Sequence, residues 1–489
     1  MVCITAVALY TCSTLYLLMV YVRYARIQPA PPAVLNASTP LPKVTVQIPL
    51  YNERYVVRRV VEAVAALVYP RDRLHIQILD DSTDDTTDLI QGRIAQLRAD
   101  GLRIELIHRQ NRTGYKAGAL ANGLTCTDGD LIAVFDADFV PPPNFLQRVV
   151  PYFAEDERIG MVQTRWGHLN EDDNLLTHSQ ALAFDGHFAV EQFARNAGEI
   201  VLSFNGTGGV WRRTCIEDSG GWQLDTLTED FDLSYRAQIR GWRMKYIRDV
   251  VVPGEIPPQM SAYKQQQARW AKGSTQVLLK LSGKLLRSDL SARNRIMGLF
   301  QMMQYAVQIA LLTLLLLTPP MILLNAFNSL PIASFSVLTL SAPILYALGQ
   351  QALYGEQWWR RMRYFPALLL FSCGMSFNNG KASVSALMRQ PGEFKRTPKY
   401  HLNGRSVWWT RSQYAGLLRT FDIAGEITLG VYSLFGAAVA FILTPSMIVY
   451  MLIYATGYFL IVGWSLWDRW LLTHPARAAE PEPIRQPGR

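Results

Sequence analysis

At 489 residues the chain is too long for one ordinary compact domain. Long uncharged windows alternate with densely charged ones, which excludes an all-soluble enzyme. The net charge of +9 is not gathered into a basic face with interleaved aromatics, so no nucleic-acid partner is expected.

The first apolar run, 2–22, lacks the basic leader of a signal peptide and is long enough to span a bilayer. Residues 1–28 therefore read as a retained transmembrane helix with its N-terminus outside. The Pro-rich stretch 29–42 cannot continue a helix and reads as a linker. A soluble domain is expected over 43–260, where apolar β-branched runs alternate with helical patterns. Strands fall at 44–48, 75–79, 102–107 and 131–135. Val56, Val57, Val60, Val64 and Leu67 recur at helical spacing, and a further helix covers 86–98. This alternation predicts a largely parallel sheet with its chemistry at the strands' carboxyl ends.

Beyond about residue 255 a basic amphipathic segment predicts interfacial helices over 261–297. Spans follow near 299–324, 332–354, 427–444 and 447–467, making five crossings with the first helix. The apolar stretch 364–377 is flanked by basic residues at both ends and is expected to lie in the interface or re-enter. Residues 298–470 thus form the membrane region, with a basic loop at 389–412 and a tail at 471–489. Arg23 and Arg26, then Arg360, Arg361 and Arg363, then Arg389, Lys395, Arg396, Lys399 and Arg405 lie in loops, whereas 318–331 and 444–447 carry no charge. By the positive-inside rule this places the soluble domain in the cytosol of an integral protein of the cell's inner or plasma membrane. The five cysteines show neither paired disulfide spacing nor a metal motif, which fits a reducing compartment.

The chemistry-bearing residues follow the strands. Tyr51 and Glu53 come after the first, and Asp80 and Asp81 close the second, where a carboxylate can accept hydrogen bonds from a base or ribose. Aspartates there also commonly cap the next helix. Asp136 and Asp138 leave an apolar strand on one side of an extended segment, a pair suited to a hard divalent cation, Mg²⁺ or Mn²⁺, bridging to a diphosphate. Thr228 is placed to cap a helix whose first turn holds Glu229 and Asp230, and a carboxylate there suits a general base. Asp232 is the neighbour most easily confused with it. Gln266, Arg269 and Trp270 share one helix face, an amide, a fork for phosphate and an indole for a sugar.

Seven motifs in order, PLYNE (49–53), DDS (80–82), GYKAGAL (114–120), DAD (136–138), FNGTGG (204–209), TED (228–230) and QQARW (266–270), resemble the family-2 glycosyltransferases. The resemblance is to the cellulose-synthase-like branch, which includes cellulose, mannan and glucomannan synthases, and it runs from about residue 44 to 399. It implies a GT-A-type α/β catalytic domain, Rossmann-like with a mixed sheet, beside an α-helical transmembrane region. It further implies an inverting reaction, with Asp80, Asp81 and Lys116 near the nucleotide and Asp136 with Asp138 at the metal and diphosphate. Asp230 would be the base, and Gln266, Arg269 and Trp270, with Glu229, would hold the acceptor end and the leaving group. Phe394, Thr397 and Lys399 fall in register with the FxVTxK gating loop of cellulose synthases, with Arg396 in place of the valine. The expected partners are a nucleotide sugar such as UDP-glucose or GDP-mannose, membrane lipids, and a growing β-linked polysaccharide. A single lipid acceptor is the alternative, and a nucleotide-sensing transporter a further one.

Overall fold

A computed structural model describes residues 2–27, 41–326, 340–392, 396–400 and 420–474. Within 41–254 seven strands form one mixed sheet in the order β3-β2-β1-β4-β6-β5-β7. β1 (Val44–Leu50), β2 (Leu74–Asp80), β3 (Ile104–His108) and β4 (Leu131–Val134) are parallel neighbours, with Val44 facing Leu74 on one side and Leu131 on the other. β2 and β4 are buried along their whole length, as strands of a parallel sheet covered on both faces should be. Val57, Val60, Val61 and Val64 form the buried stripe of the helix Val57–Ala65 and pack on this half.

The second half departs from a parallel design. β6 (Gly209–Arg212) runs antiparallel between β4 and β5 (Ile159–His168), while β7 (Arg243–Gly254) is parallel to β5. No separate strand is legible in the sequence for these three, because polar residues interrupt their apolar pattern. β6 folds the chain back so that its preceding turn, 204–208, meets the carboxyl end of β4.

Among the described residues three helices are long and apolar enough to cross a membrane: Val2–Tyr24, Ile423–Leu443 and Pro445–Thr473. The pair Ala292–Met302 and Val307–Leu323 would make a fourth if it counts as one span bent by 59°. The expected crossing at 332–354 is described only in part. Its described helix, Ser341–Tyr354, has 14 residues. The stretch around 364–388 forms two short helices, Phe365–Gly374 and Ser376–Leu387. Gly374 lies directly on the backbone of Gly457, an approach that a β-carbon would block. Residues 29–40 of the expected linker, most of the loop 389–412 and most of the tail lie outside the described residues.

The helix Met260–Leu286 joins the two parts. Asp468, in the last apolar helix, accepts the Met260 amide at 2.7 Å, and the Lys264 ammonium lies 2.6 Å from Glu426 with both side chains buried. On the opposite flank the buried Asp185 accepts from Gln350 at 2.9 Å and Tyr354 at 3.2 Å, tying the soluble domain to the helix Ser341–Tyr354.

Candidate active site

The turns after β1 and β2 are stitched together. The Asn52 amide donates to Ser82 Oγ at 2.9 Å and the Thr83 amide to Asn52 Oδ1 at 2.8 Å. Asn52 holds a φ of +56°, a conformation asparagine tolerates better than most residues, and this turns Tyr51 and Glu53 into the cleft. Asp81 also lines it, held by a two-point pair with Arg109 at 2.7 and 2.5 Å. Asp80 does not. It is fully buried, and its carboxylate accepts from the Ser82 amide at 3.0 Å and the Thr87 hydroxyl at 2.5 Å, with the His108 ring at 3.2 Å. The structure therefore places Asp80 as the organiser of the turn, away from the cleft wall.

At the end of β4, the Asp136 backbone amide donates to Thr207 Oγ1 at 2.9 Å, which registers the FNGTGG turn against the DAD turn. Lys116 Nζ donates to Asp136 Oδ1 at 2.6 Å and to the Gly206 carbonyl at 2.8 Å. Lys399 pairs with Asp138. Burial pushes the Asp136 carboxyl up, but Lys116 and Lys399 outweigh it and hold it below the usual carboxylate range. For Asp138 burial wins over Lys399, and Asp136 adds to it, so its carboxyl sits above that range. Both lysines stay protonated more firmly than usual, because the carboxylates outweigh their desolvation.

Glu229 and Asp230 open the helix Glu229–Ile239. Thr228 stands at its N-cap but its side chain makes no capping hydrogen bond, which corrects the expectation from sequence. The Phe231 amide is instead taken by Asp230 Oδ1 at 2.8 Å. Asp230 lines the cleft and is partly buried. Burial, reinforced by Glu229 and opposed by Lys116, pushes its carboxyl up to about 7. Gly206, with φ +88°, lets the FNGTGG turn approach, since a β-carbon there would stand 2.9 Å from Asp230 Oδ2. Asp232 is fully buried between Arg236 at 2.7 Å and Lys280 at 2.8 Å, a structural pair removed from the cleft.

Gln266, Arg269 and Trp270 line the same cleft from the helix Met260–Leu286. Residues 396–400 lie across it, with Arg396 forking onto Glu53 at 2.9 and 2.7 Å and Thr397 and Lys399 facing in. Phe394 lies outside the described residues. Gln266 Oε1 and Thr397 Oγ1 are buried without a hydrogen-bond partner among the described residues, the condition of groups left for a ligand. Sequence reasoning missed Arg112, whose guanidinium stacks 3.4 Å from the Tyr51 ring centre and 4.9 Å from that of Tyr115, a flat cationic platform at the cleft wall. It missed Trp166, which packs against Phe139, Phe184 and Phe188 to form one aromatic wall. No motif spacing marks either residue.

Among the described residues no group of three or more His, Cys, Asp or Glu could hold a metal alone. Asp136 and Asp138 offer the oxygen chemistry a hard divalent cation selects, and a diphosphate would complete the set, so the residues fit such an ion.

A mixed α/β sheet with an Asp-x-Asp turn at the end of a central strand, a facing Thr-Glu-Asp helix and a Gln-x-x-Arg-Trp face defines a GT-A-type glycosyltransferase domain. Residues 42–273 match the family described as glycosyltransferase like family 2. Among its relatives, the probable glucomannan 4-beta-mannosyltransferase 7 of Oryza sativa subsp. japonica is 34% identical over 364 residues, 73% of this chain and 61% of the relative. The glucomannan 4-beta-mannosyltransferase 2 of Arabidopsis thaliana is 40% identical over 255 residues, 51% of this chain and 48% of the relative. The chain thus spans between about half and three fifths of the length of these two relatives. A solved structure, a mannosyltransferase from Pyrobaculum calidifontis in complex with GDP-Man and Mn²⁺, shares the fold with a TM-score of 0.53 at 24% identity, over 79% of this chain and 99% of that one.

Proposed function

We propose that the protein is a membrane-embedded inverting glycosyltransferase that extends a β-linked polysaccharide of mannan or glucan type from a nucleotide sugar, with GDP-mannose the leading donor. The relatives' names support the mannosyl reading. One observation carries the processive reading over single transfer to a lipid. A second cavity shares Asp230 and Trp270 with the cleft and continues between the apolar helices, lined by Tyr10, Gln267, Gln304, Tyr305 and Tyr346. It holds no lysine or arginine among its described lining, so it suits a neutral hydroxyl-rich chain and disfavours a phosphate-bearing lipid.

In this reading the Tyr51, Arg112 and Asp81 side of the cleft receives the nucleoside, and Lys116 and Arg269 face its diphosphate. Asp136 and Asp138 would hold a divalent cation, Mg²⁺ or Mn²⁺, which when bound neutralises charge on the departing diphosphate. Asp230 takes the proton from the acceptor hydroxyl as that oxygen attacks the anomeric carbon and the bond to phosphate breaks, so no covalent enzyme intermediate is needed. Trp270 presents its ring to the acceptor sugar, with Glu229 and Gln266 at the same end. Arg396, Thr397 and Lys399 close over the diphosphate and exclude water. The soluble domain faces the cytosol and the N-terminus lies outside.

The test is to incubate the purified protein in detergent with a panel of nucleotide sugars and size the product. A polymer from GDP-mannose or UDP-glucose is expected. A single sugar on lipid would refute the processive reading, and absence of turnover with every donor would refute the transferase reading itself.

A further inference from the structure

The second cavity contains one charged constellation that the transfer step does not use. Between Leu175–Gly186 and Phe193–Ala197 the helix widens into a π-helical turn, His187–Gln192. Such turns persist where a side chain must be re-aimed, often at functional sites. Here it aims His187 and Glu191 into the cavity, across from Tyr10 of the first helix and Tyr346 of the helix Ser341–Tyr354.

The hydrogen bonds set the chemistry of this pair. Gln192 Nε2 donates to Asn205 Oδ1 at 2.6 Å and to the Ser203 carbonyl at 2.9 Å, which fixes the Asn205 amide with its NH₂ outward. That NH₂ donates to His187 Nε2, 3.1 Å away, so the neutral ring carries its proton on Nδ1 and gives it to Glu191 Oε2 at 2.8 Å. The relay spends one oxygen of Glu191 and orients the other. Asn205 lies beside Gly206 at the junction of the two cavities, and its backbone N–H donates to Gln163 Oε1 at 2.8 Å. The aromatic wall of Phe184, Trp166 and Phe188 borders the same space.

We infer that Glu191, positioned by His187 and Asn205, is a binding site for hydroxyl groups of a neutral sugar in the acceptor chain, behind the residue that Asp230 deprotonates. A carboxylate accepting from vicinal hydroxyls beside aromatic faces binds a sugar by charge-assisted hydrogen bonds and apolar contact together. The inference rests on the transferase reading for its place in the reaction, but not for the binding itself.

The test compares the wild type with Glu191→Gln, Glu191→Asp, His187→Leu and His187→Asn, in detergent, with manno- and cello-oligosaccharides of two to six units as acceptors. Glu191→Gln should raise the acceptor KM by about tenfold, as loss of a charge-assisted hydrogen bond predicts, and leave the donor KM within about twofold. His187→Asn, which keeps a donor near Nδ1, should retain more acceptor affinity than His187→Leu. An unchanged acceptor KM, or donor and acceptor KM rising together, would overturn the proposal. Quenching of tryptophan fluorescence by the same oligosaccharides, without donor, reads the site independently. If the wild type turns over no nucleotide sugar, the transferase reading fails, and equal quenching of wild type and Glu191→Gln would then sink the subsite as well.

Discussion

Replacing Asp230 by Asn keeps the shape of the side chain and removes only its capacity to take a proton. The cleft holds this carboxyl up to about 7, through burial and the neighbouring Glu229. Below that pH the group is protonated and cannot act as base, and above it the carboxylate is free to act. The wild-type rate should therefore fall about tenfold per unit on acidification below pH 7 and level off above it. Asp230→Asn should lower kcat by about 10²–10⁴-fold and remove this limb of the profile. The thermodynamic sign runs the other way. A carboxyl that holds its proton more tightly in the folded state than the usual 3.8 costs stability as pH rises from about 4 to 7. At neutral pH the variant should thus unfold at an equal or higher temperature while nearly inactive, which separates lost chemistry from lost structure. Release of nucleoside diphosphate, coupled to an optical readout from pH 5 to 9, measures the rate, and tryptophan fluorescence on heating measures the fold. Activity within about threefold of wild type, or an unaltered acid limb, would refute the assignment of the base.

Three further outcomes follow from the same geometry. Arg396→Ala leaves the buried Glu53 carboxylate without its fork and should raise the donor KM by about tenfold, with partial recovery in Glu53→Gln/Arg396→Ala; equal donor KM in steady-state assays would show that the loop does not cover the donor. Lys264→Met removes the 2.6 Å ion-pair partner of the buried Glu426 and should lower the unfolding temperature, with partial recovery in Lys264→Met/Glu426→Gln, as read by thermal unfolding in detergent. Chelation of divalent ions should abolish turnover, and added Mn²⁺ or Mg²⁺ should restore it; full activity in excess chelator would remove the cation from the scheme.

The parallel half of the sheet was legible because β1 to β4 are dominated by Val, Ile and Leu and carry few charged residues, each followed by polar residues that mark the ligand edge. β5 to β7 carry Gln163, Arg165, Lys245 and Arg248 within their spans, so periodicity alone does not separate them from loops. Of the described candidate residues, all but Asp80 converge on one cleft, from Tyr51 and Glu53 to Lys399. Asp80 and Asp81 show the limit of such reading. Two adjacent carboxylates look alike in sequence, and only the packing of Thr87 and His108 turns one of them inward. Arg396 was visible as a departure from a motif, but its partner lies 343 positions away and no local pattern could name it.

The amide of Met260 meets Asp468 across 208 positions of chain. At synthesis rates of roughly 5–20 residues per second, the ribosome needs on the order of 10–40 s to make the acceptor for a donor already emerged. The helix bearing Gln266, Arg269 and Trp270 thus gains its final anchor only when the last apolar helix has been delivered. A nascent chain cut short before Asp468 would carry the cleft residues from Tyr51 to Lys399 and still lack the hydrogen bond that Asp468 makes to the first turn of the helix bearing Gln266, Arg269 and Trp270.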